Sequence, residues 1–269
     1  MCGRPQKGTN VQSRLLSVTN LGLAGALTLI FSWGASAQTE ETATVRGKAQ
    51  VLRLYGPRTG TPVVVTSGDG GFVHLGPAVA EFLASKGFFV VGVDAKAYLS
   101  SFTSGSKTLA PTDIPGDYRV FVDRARQGKD VKVALIGVSE GAGLSVLAAA
   151  DPDLQKFLVG VVGLGLPDVN ELGWRWRDSI IYITKQAPNE PSFHASDYVL
   201  RLGELRLAAL HSTHDEFVPV ESVRKVLGPP AATRRLWLIE AADHRFSDNQ
   251  PELQKVLIEA LEWIKAPPR

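Results

Sequence analysis

The chain has 269 residues, of which 44% are hydrophobic and 21% charged, and this composition suits one globular domain with a sizeable core. Its net charge of +2 comes from the first 37 residues, which hold three of the 29 basic residues and none of the 27 acidic ones, so residues 38–269 have a net charge of −1. This balance excludes the basic surface that nucleic-acid-binding proteins use.

Residues 1–37 have the pattern of a secretory signal peptide. A basic start is followed by an apolar, uncharged run from Leu15 to Trp33 and by the small-residue cleavage site Ala35-Ser36-Ala37. The alternative, an uncleaved membrane anchor, is disfavoured because polar residues interrupt the apolar run. We therefore expect an exported protein, periplasmic or else extracellular, with residues 38–269 as its domain. Cys2, the single cysteine, leaves with the signal, so neither disulfides nor thiol chemistry are expected.

Strands and helices are predicted to alternate along the rest of the chain. After a polar, disordered entry at residues 38–46, the apolar runs predict strands at 49–55, 62–66, 88–94, 131–137, 158–166, 206–211 and 236–240. Helical spacing predicts helices at 75–86, 114–127, 141–150 and 251–265. This alternation predicts an α/β fold with a mostly parallel central sheet and helices on both faces.

One stretch, residues 168–204, breaks the alternation. It is rich in aromatic residues and proline, and it includes Trp174. A crossover helix alone would not have this composition. We predict a small cap or rim insertion above the active site.

The pentapeptide Gly137-Val138-Ser139-Glu140-Gly141 follows a buried strand and precedes a helix of small, apolar residues. This is the sequence form of a nucleophile elbow, in which a strained turn exposes the serine at the carboxyl end of the strand. Glycines two positions before and after the serine allow strand and helix to approach closely. Ser139 is therefore the predicted nucleophile.

A serine nucleophile needs a base and an acid, which on this fold follow in the order serine, acid, histidine. Asp215 follows one predicted strand and His244 follows the next, so they fit that order. Asp243 and Asp248 are alternative acids. The other histidines fit less well as the base, because they end a strand, start a helix, lie in the insertion or adjoin the predicted acid: His211, His74, His194 and His214.

The loop Ser67-Gly68-Asp69-Gly70-Gly71-Phe72 follows an early strand and is too rich in glycine for regular structure. A tetrahedral intermediate needs backbone N–H donors, one of which is predicted at Glu140, the residue after the nucleophile. By similarity to the His-Gly-x loops of such enzymes, the second is the Asp69 N–H, with Gly70 as the alternative. A phosphate-binding loop is disfavoured because the Lys-Ser/Thr ending is missing.

Two carboxylates, those of Asp69 and Glu140, adjoin the predicted oxyanion site. They either point to solvent or cap turns, or they select a cationic substrate group and repel an anionic one. Substrate contacts are further predicted for four residues, namely Phe72, His74, Tyr98 and Trp174. No metal or cofactor is implied, and the oligomeric state is left open.

The elbow, the triad order and the glycine loop resemble those of the α/β-hydrolase superfamily over residues 38–269. A closer resemblance is to the bacterial virulence protein VirJ/AcvB family, in the glycine loop followed by an aromatic residue, in Val90-Val91-Gly92-Val93-Asp94 with Tyr98 shortly after, and in Leu135-Ile136-Gly137-x-Ser139-x-Gly141-Ala142. The chain departs from that family at the neighbours of the elbow serine, Val138 and Glu140, where the family has aromatic residues, and at Gly143, where it tends to have aspartate.

The resemblance implies a periplasmic serine hydrolase, and some members of the family are implicated in hydrolysing aminoacylated phospholipids such as lysyl-phosphatidylglycerol. The expected partner is a small-molecule or lipid ester, with peripheral contact to membrane lipid and no nucleic acid. The alternatives are a generic carboxylesterase, a peptidase, or a periplasmic binding or assembly factor without catalysis on the same scaffold.

Overall fold

A computed structural model describes residues 38–175 and 190–266. The predicted signal peptide lies outside these residues. Within them the strands are β1 Thr39–Val45, β2 Lys48–Tyr55, β3 Thr61–Thr66, β4 Phe88–Val93, β5 Val133–Val138, β6 Leu158–Leu164, β7 Val169–Glu171, β8 Ser192–His194, β9 Arg206–Ser212 and β10 Arg234–Ile239. The helices are α1 Leu75–Ser85, α2 Ala95–Phe102, α3 Ile114–Arg126, α4 Glu140–Ala149, α5 Pro152–Gln155, α6 Ser196–Val199, α7 Val220–Leu227 and α8 Gln250–Lys265, with 3-10 turns at Pro111–Asp113 and Leu200–Leu202.

Eight of these strands form one sheet in the order β1-β2-β4-β3-β5-β6-β9-β10. The strands from β4 to β10 pair in parallel, whereas β2 is antiparallel to both of its neighbours, β1 and β4. The predicted, mostly parallel sheet is therefore confirmed. Because the carboxyl ends of parallel strands lie at one edge of the sheet, the loops after β3, β5, β6, β9 and β10 can meet there.

The core consists of two apolar clusters, one on each face of the sheet. Helices α3 and α4 contribute to the first cluster, and α1 and α8 contribute to the second. Residues of one strand alternate between the two, so Leu135 of β5 packs in the first cluster and Ile136 in the second. Every residue of α4 is buried, which explains why that helix is made of small and apolar residues after its first position.

The entry at residues 38–46 is ordered, and the prediction of disorder there was wrong. Strand β1 pairs with β2 along its whole length, from Thr39 opposite Leu54 to Val45 opposite Lys48. Its polar residues alternate with Ala43 and Val45, which pack against the first core cluster. This is the pattern of an edge strand with one solvent-facing side.

Helix α2 occupies a stretch for which the sequence predicted neither a strand nor a helix. Its N-cap is Asp94, whose carboxylate accepts the Ala97 N–H at 3.0 Å. Tyr98 and Leu99 on its inner face are fully buried. The hydroxyl groups of the serines at its end donate to carbonyl oxygens of the preceding turn and are thus paired within the helix.

The predicted insertion, residues 168–204, is described on both sides of residues 176–189. Strands β7 and β8 form a small antiparallel ribbon apart from the main sheet, and α6 follows it. No helix within residues 38–175 and 190–266 is both long and apolar enough to cross a membrane.

Candidate active site

Ser139 lies between β5 and α4 with φ 51° and ψ −118°, a strained conformation for a residue with a side chain. A Cβ on Gly137 would lie 2.2 Å from the Gly141 carbonyl oxygen, and a Cβ on Gly141 would lie 2.4 Å from that of Ser67. Both positions therefore require glycine, for the reason given by the elbow pattern. The turn sets Ser139 at the carboxyl end of an interior strand.

The structure brings the predicted acid and base together. His244 Nδ1 and Asp215 Oδ2 are 2.6 Å apart, and the aspartate side chain is fully buried. The other oxygen, Oδ1, accepts the N–H groups of Phe217 and Val218 at 2.9 and 2.8 Å. Burial alone would raise the pKa of Asp215, but the hydrogen bond and charge of His244 and these two N–H donors outweigh it and lower the pKa. Asp215 can thus stay ionised and fix the imidazole.

Three residues that the sequence analysis did not single out hold His244 in place. Glu216 Oε2 accepts the backbone N–H of His244 at 2.8 Å. The Phe217 ring meets the imidazole edge-on at 5.6 Å between centroids. Gly165, after β6, lies so close that any side chain there would overlap the ring. Gly165 could have been suspected from its place at the end of a predicted strand, whereas the other two contacts depend on the tertiary fold.

A cavity of about 330 Å³ contains Ser139 and His244 in its wall. Its other described lining residues include the glycine loop, the segment around β7 and the turn after β9. With Nδ1 bound to Asp215, the imidazole has Nε2 left for the serine. Ser139 Oγ forms no hydrogen bond within the described residues, and such contacts tighten in many enzymes only when substrate binds.

The glycine loop folds as a turn in which the Gly71 N–H donates to the Gly68 carbonyl oxygen at 3.1 Å. It lies against the elbow, since a Cβ on Gly68 would be 3.3 Å from Ser139 Cβ. In the described part of the chain, the N–H groups of Asp69, Gly70 and Glu140 have no acceptor, and all three residues line the cavity. Three N–H groups without an acceptor among the described residues therefore lie in the wall of the cavity that Ser139 also lines.

The Glu140 side chain turns inward rather than to solvent. It is 7% exposed, and its Oε1 accepts the Glu171 N–H at 2.7 Å. Burial raises the pKa of Glu140 well above the usual glutamate range, the nearby charges of Glu171 and Asp69 raise it further, and the N–H bond opposes them only in part. Four acidic residues line the cavity, namely Asp69, Glu140, Glu171 and Glu216.

Among the predicted substrate contacts, His74 lines the cavity and three others do not. Tyr98 is fully buried and donates to Asp117 at 2.6 Å, and burial followed by the Asp117 charge raises its pKa. Phe72 packs beneath Gly92 and beside Tyr55 in the core. The expected substrate contacts of Tyr98 and Phe72 are therefore wrong.

Trp174 also lies outside the cavity lining. The Lys96 ammonium sits 4.3 Å from its ring centroid, and its backbone N–H donates to Thr103 Oγ1 at 3.0 Å. The tryptophan thus joins the start of the insertion to α2. Its expected contact with substrate stays a prediction.

The alternative acids and the remaining histidines have other partners. Asp243 accepts the N–H groups of Arg245 and Ser247, and Asp248 accepts that of Ala242, so both shape the loop that holds His244. His194 pairs with Asp168 at the rim, and His214 lies near Glu240. His211 is fully buried next to Asp215 and donates to the Val218 carbonyl oxygen at 2.8 Å, as expected of a packed strand residue.

Within residues 38–175 and 190–266, no group of three or more His, Cys, Asp or Glu side chains is placed to hold a metal ion.

Comparison with known proteins identifies the fold. The family model described as bacterial virulence protein VirJ matches residues 61–164, which confirms the resemblance over that range. A comparison with curated protein sequences finds no match.

Many solved structures, in contrast, have a similar fold. The first is a membrane phospholipase A described as a novel bacterial virulence factor, with 14% identity, a TM-score of 0.61, and coverage of 86% of this chain and 87% of that one. The esterase Pf2001 from Pyrococcus furiosus has 17% identity, a TM-score of 0.60, and coverage of 84% and 90%. The naproxen esterase from Bacillus subtilis has 12% identity, a TM-score of 0.63, and coverage of 84% and 92%. The protein thus has the predicted α/β-hydrolase fold.

Proposed function

Since the chain has the α/β-hydrolase fold, we propose that it is a serine hydrolase that cleaves a carboxylic ester. The observation that supports this most directly is the 2.6 Å contact between His244 Nδ1 and the buried Asp215 carboxylate, because His244 lines the cavity that Ser139 also lines. Proteins of similar fold include ones named as esterases and a phospholipase A, which favours ester chemistry over the alternatives of a peptidase or a non-catalytic factor.

In the proposed reaction, Ser139 Oγ attacks the ester carbonyl carbon and gives its proton to His244 Nε2. Asp215 keeps Nδ1 protonated and stabilises the resulting imidazolium. The oxyanion accepts the N–H of Glu140 and that of Asp69, or of Gly70 in place of Asp69. The intermediate collapses, the alcohol leaves with the proton of His244, and the acyl group stays on Ser139. Water then attacks, His244 takes its proton, and the acid leaves as Ser139 regains a proton.

For the acyl group we propose an aminoacyl residue with a free ammonium. Asp69 and Glu171 line the cavity that Ser139 also lines, and their carboxylates attract a cation and repel an anionic acyl chain. Entry of an ammonium would also favour the ionised form of Glu140, so substrate binding and ionisation would reinforce each other.

Exposed apolar residues of the cavity lining support a lipid as the alcohol portion of the ester. Val73, Val169 and Phe217 line the cavity and are 51%, 49% and 43% exposed. Apolar side chains at the entrance of an acidic cavity suit an amphiphilic ester such as an aminoacylated phospholipid, held by peripheral contact with a membrane. Export to the periplasm is proposed on the signal pattern of residues 1–37.

A fluorophosphonate probe tests the catalytic part of the proposal. The purified wild-type protein should be labelled at Ser139, as located by peptide mapping, and Ser139→Ala should not be labelled. Equal labelling of the variant would show that another residue is the nucleophile.

The acyl specificity is tested with lysyl-phosphatidylglycerol in mixed micelles and with the same lipid bearing an uncharged six-carbon acyl group. We expect kcat/KM to be at least about tenfold higher for the lysyl lipid, and Asp69→Asn to narrow that difference. Equal rates would contradict recognition of the ammonium while leaving the ester hydrolase in place.

A further inference from the structure

A second residue at the active-site edge of the sheet has the backbone conformation of the nucleophile. His74 has φ 54° and ψ −108°, close to the 51° and −118° of Ser139. Each is the residue immediately before a helix, α1 for His74 and α4 for Ser139. The strands that lead to them, β3 and β5, are parallel neighbours in the sheet.

This conformation is unfavourable for any residue with a Cβ and is adopted readily only by glycine. The described residues offer His74 no compensation through its side chain. Its imidazole does not cap α1 and forms no hydrogen bond, ion pair or ring contact with another described residue. The retained strain points to a role for the imidazole outside the fold itself.

The place of His74 indicates that role. The residue is exposed and lines the cavity that contains Ser139 and His244. The basic side chains among the described lining residues are those of His74, His244 and Arg245, of which His244 is the proposed base, whereas most of the other polar side chains carry carboxyl groups. An ester has oxygen atoms that accept hydrogen bonds, and an ionised carboxylate side chain has no hydrogen to donate to them. An imidazole, in contrast, carries at least one N–H in either protonation state.

We infer that His74 binds the substrate directly, with a ring N–H donating to an oxygen of the alcohol portion of the ester. The strained turn would then present the imidazole to the substrate as the elbow presents the serine. This inference rests on the proposed ester hydrolase activity and adds a specificity-determining residue to it.

The test uses two esters with the same acyl group, glyceryl monobutyrate and ethyl butyrate, which differ in whether the alcohol has free oxygens. His74→Gly should lower kcat/KM for the glyceryl ester about tenfold and leave that for the ethyl ester within about twofold. It should also raise the Tm by about 2 to 5 °C, because glycine removes the strain. His74→Ala should give the same kinetic loss without the rise in Tm.

Gln127→Gly is the matched control, since Gln127 has φ 53° at the end of α3 and does not line the cavity. It should change stability without changing either kcat/KM. Unchanged kinetics in both His74 variants, or equal losses for the two esters, would overturn the inference. Fluorophosphonate labelling of the wild type at Ser139 separates this result from failure of the proposed function, because an unlabelled wild type would remove the activity on which the inference rests.

Discussion

The imidazole of His244 lies directly against the backbone of Gly165, with no room for a side chain between them. A Cβ on Gly165 would lie 2.4 Å from His244 Cε1 and 2.9 Å from Nδ1, the atom that bonds Asp215. Gly165 follows β6, the strand next to the one that leads to Ser139. It therefore determines how closely the proposed base can approach the sheet.

Gly165→Ala should displace the imidazole and lower kcat/KM for a p-nitrophenyl ester about 100-fold, because misplacement of a catalytic group by about 1 Å has effects of that size. Gly203→Ala is the control. Gly203 has φ 58°, similar to the 60° of Gly165, but has no atom within 4 Å of an added Cβ. The control should lose stability, by about 1 kcal/mol, and retain its rate. Similar rates for the two variants would contradict a steric role for Gly165.

Asp215→Asn should lower kcat by about 10⁴-fold, since an amide cannot hold the His244 tautomer with Nδ1 protonated. Asp243→Asn provides the comparison, because its Oδ1 can still accept the N–H groups of Arg245 and Ser247. We expect that variant to stay within about fivefold of the wild type. Steady-state kinetics that showed the reverse order would reassign the acid to Asp243.

Glu216→Ala should lower kcat/KM about tenfold, because the backbone N–H of His244 loses its acceptor and the loop becomes less ordered. Glu216→Gln keeps a carbonyl oxygen at that position and should recover most of the rate. If the two variants were equally slow, the carboxylate charge rather than the hydrogen bond would be what matters.

Glu140→Gln should stabilise the protein at neutral and alkaline pH. The pKa of Glu140 is raised in the folded state, so the folded protein holds this proton more tightly than the unfolded chain does. Stability from this group is therefore present below the ordinary glutamate pKa and is lost as the pH rises through the folded pKa. The variant has no such loss, and we expect it to gain on the order of 1 to 2 kcal/mol at pH 8 relative to pH 4.5.

Urea unfolding of wild type and variant across that pH range measures the difference. Glu81→Gln, on the exposed side of α1, serves as a matched substitution and should show no comparable pH-dependent gain. A difference between Glu140→Gln and wild type that did not change with pH would contradict the raised pKa.

The regular part of the fold could be predicted because its burial pattern is simple. The continuous apolar runs of β3 and β4 and the helical spacing of α8 each indicate one structure, and their bounds agree with the prediction to within one residue. Strand β1 and helix α2 could not be predicted in the same way. Both contain mostly polar or small residues, and what stabilises them is pairing with β2 and packing of Tyr98 into the core.

The predictions for the candidate site also differ according to whether they depend on the order of residues in the chain or on tertiary packing. Ser139, Asp215 and His244 were identified from chain order, and the structure brings the acid and the base together in contact. Phe72 and Tyr98 were predicted to contact substrate because they lie near the glycine loop and β4 in sequence. Whether such a ring faces the cavity or the core depends on tertiary packing, which the sequence does not show. The contacts of Glu216 with His244 and of Glu171 with Glu140 join residues about 30 positions apart, so local patterns could not indicate them.

The positions of β5 and β10 in the sheet predict the order in which activity and structure are lost on heating. Ser139 follows β5, which is held on both sides by β3 and β6, whereas His244 follows β10, which ends the sheet and pairs with β9 alone among the described strands. Edge strands open at lower free energy than interior ones. We therefore expect esterase activity to disappear several degrees below the loss of helical circular dichroism, and amide hydrogens of β10 to exchange before those of β5. Inactivation would then begin with the displacement of His244, while the turn that holds Ser139 was still intact.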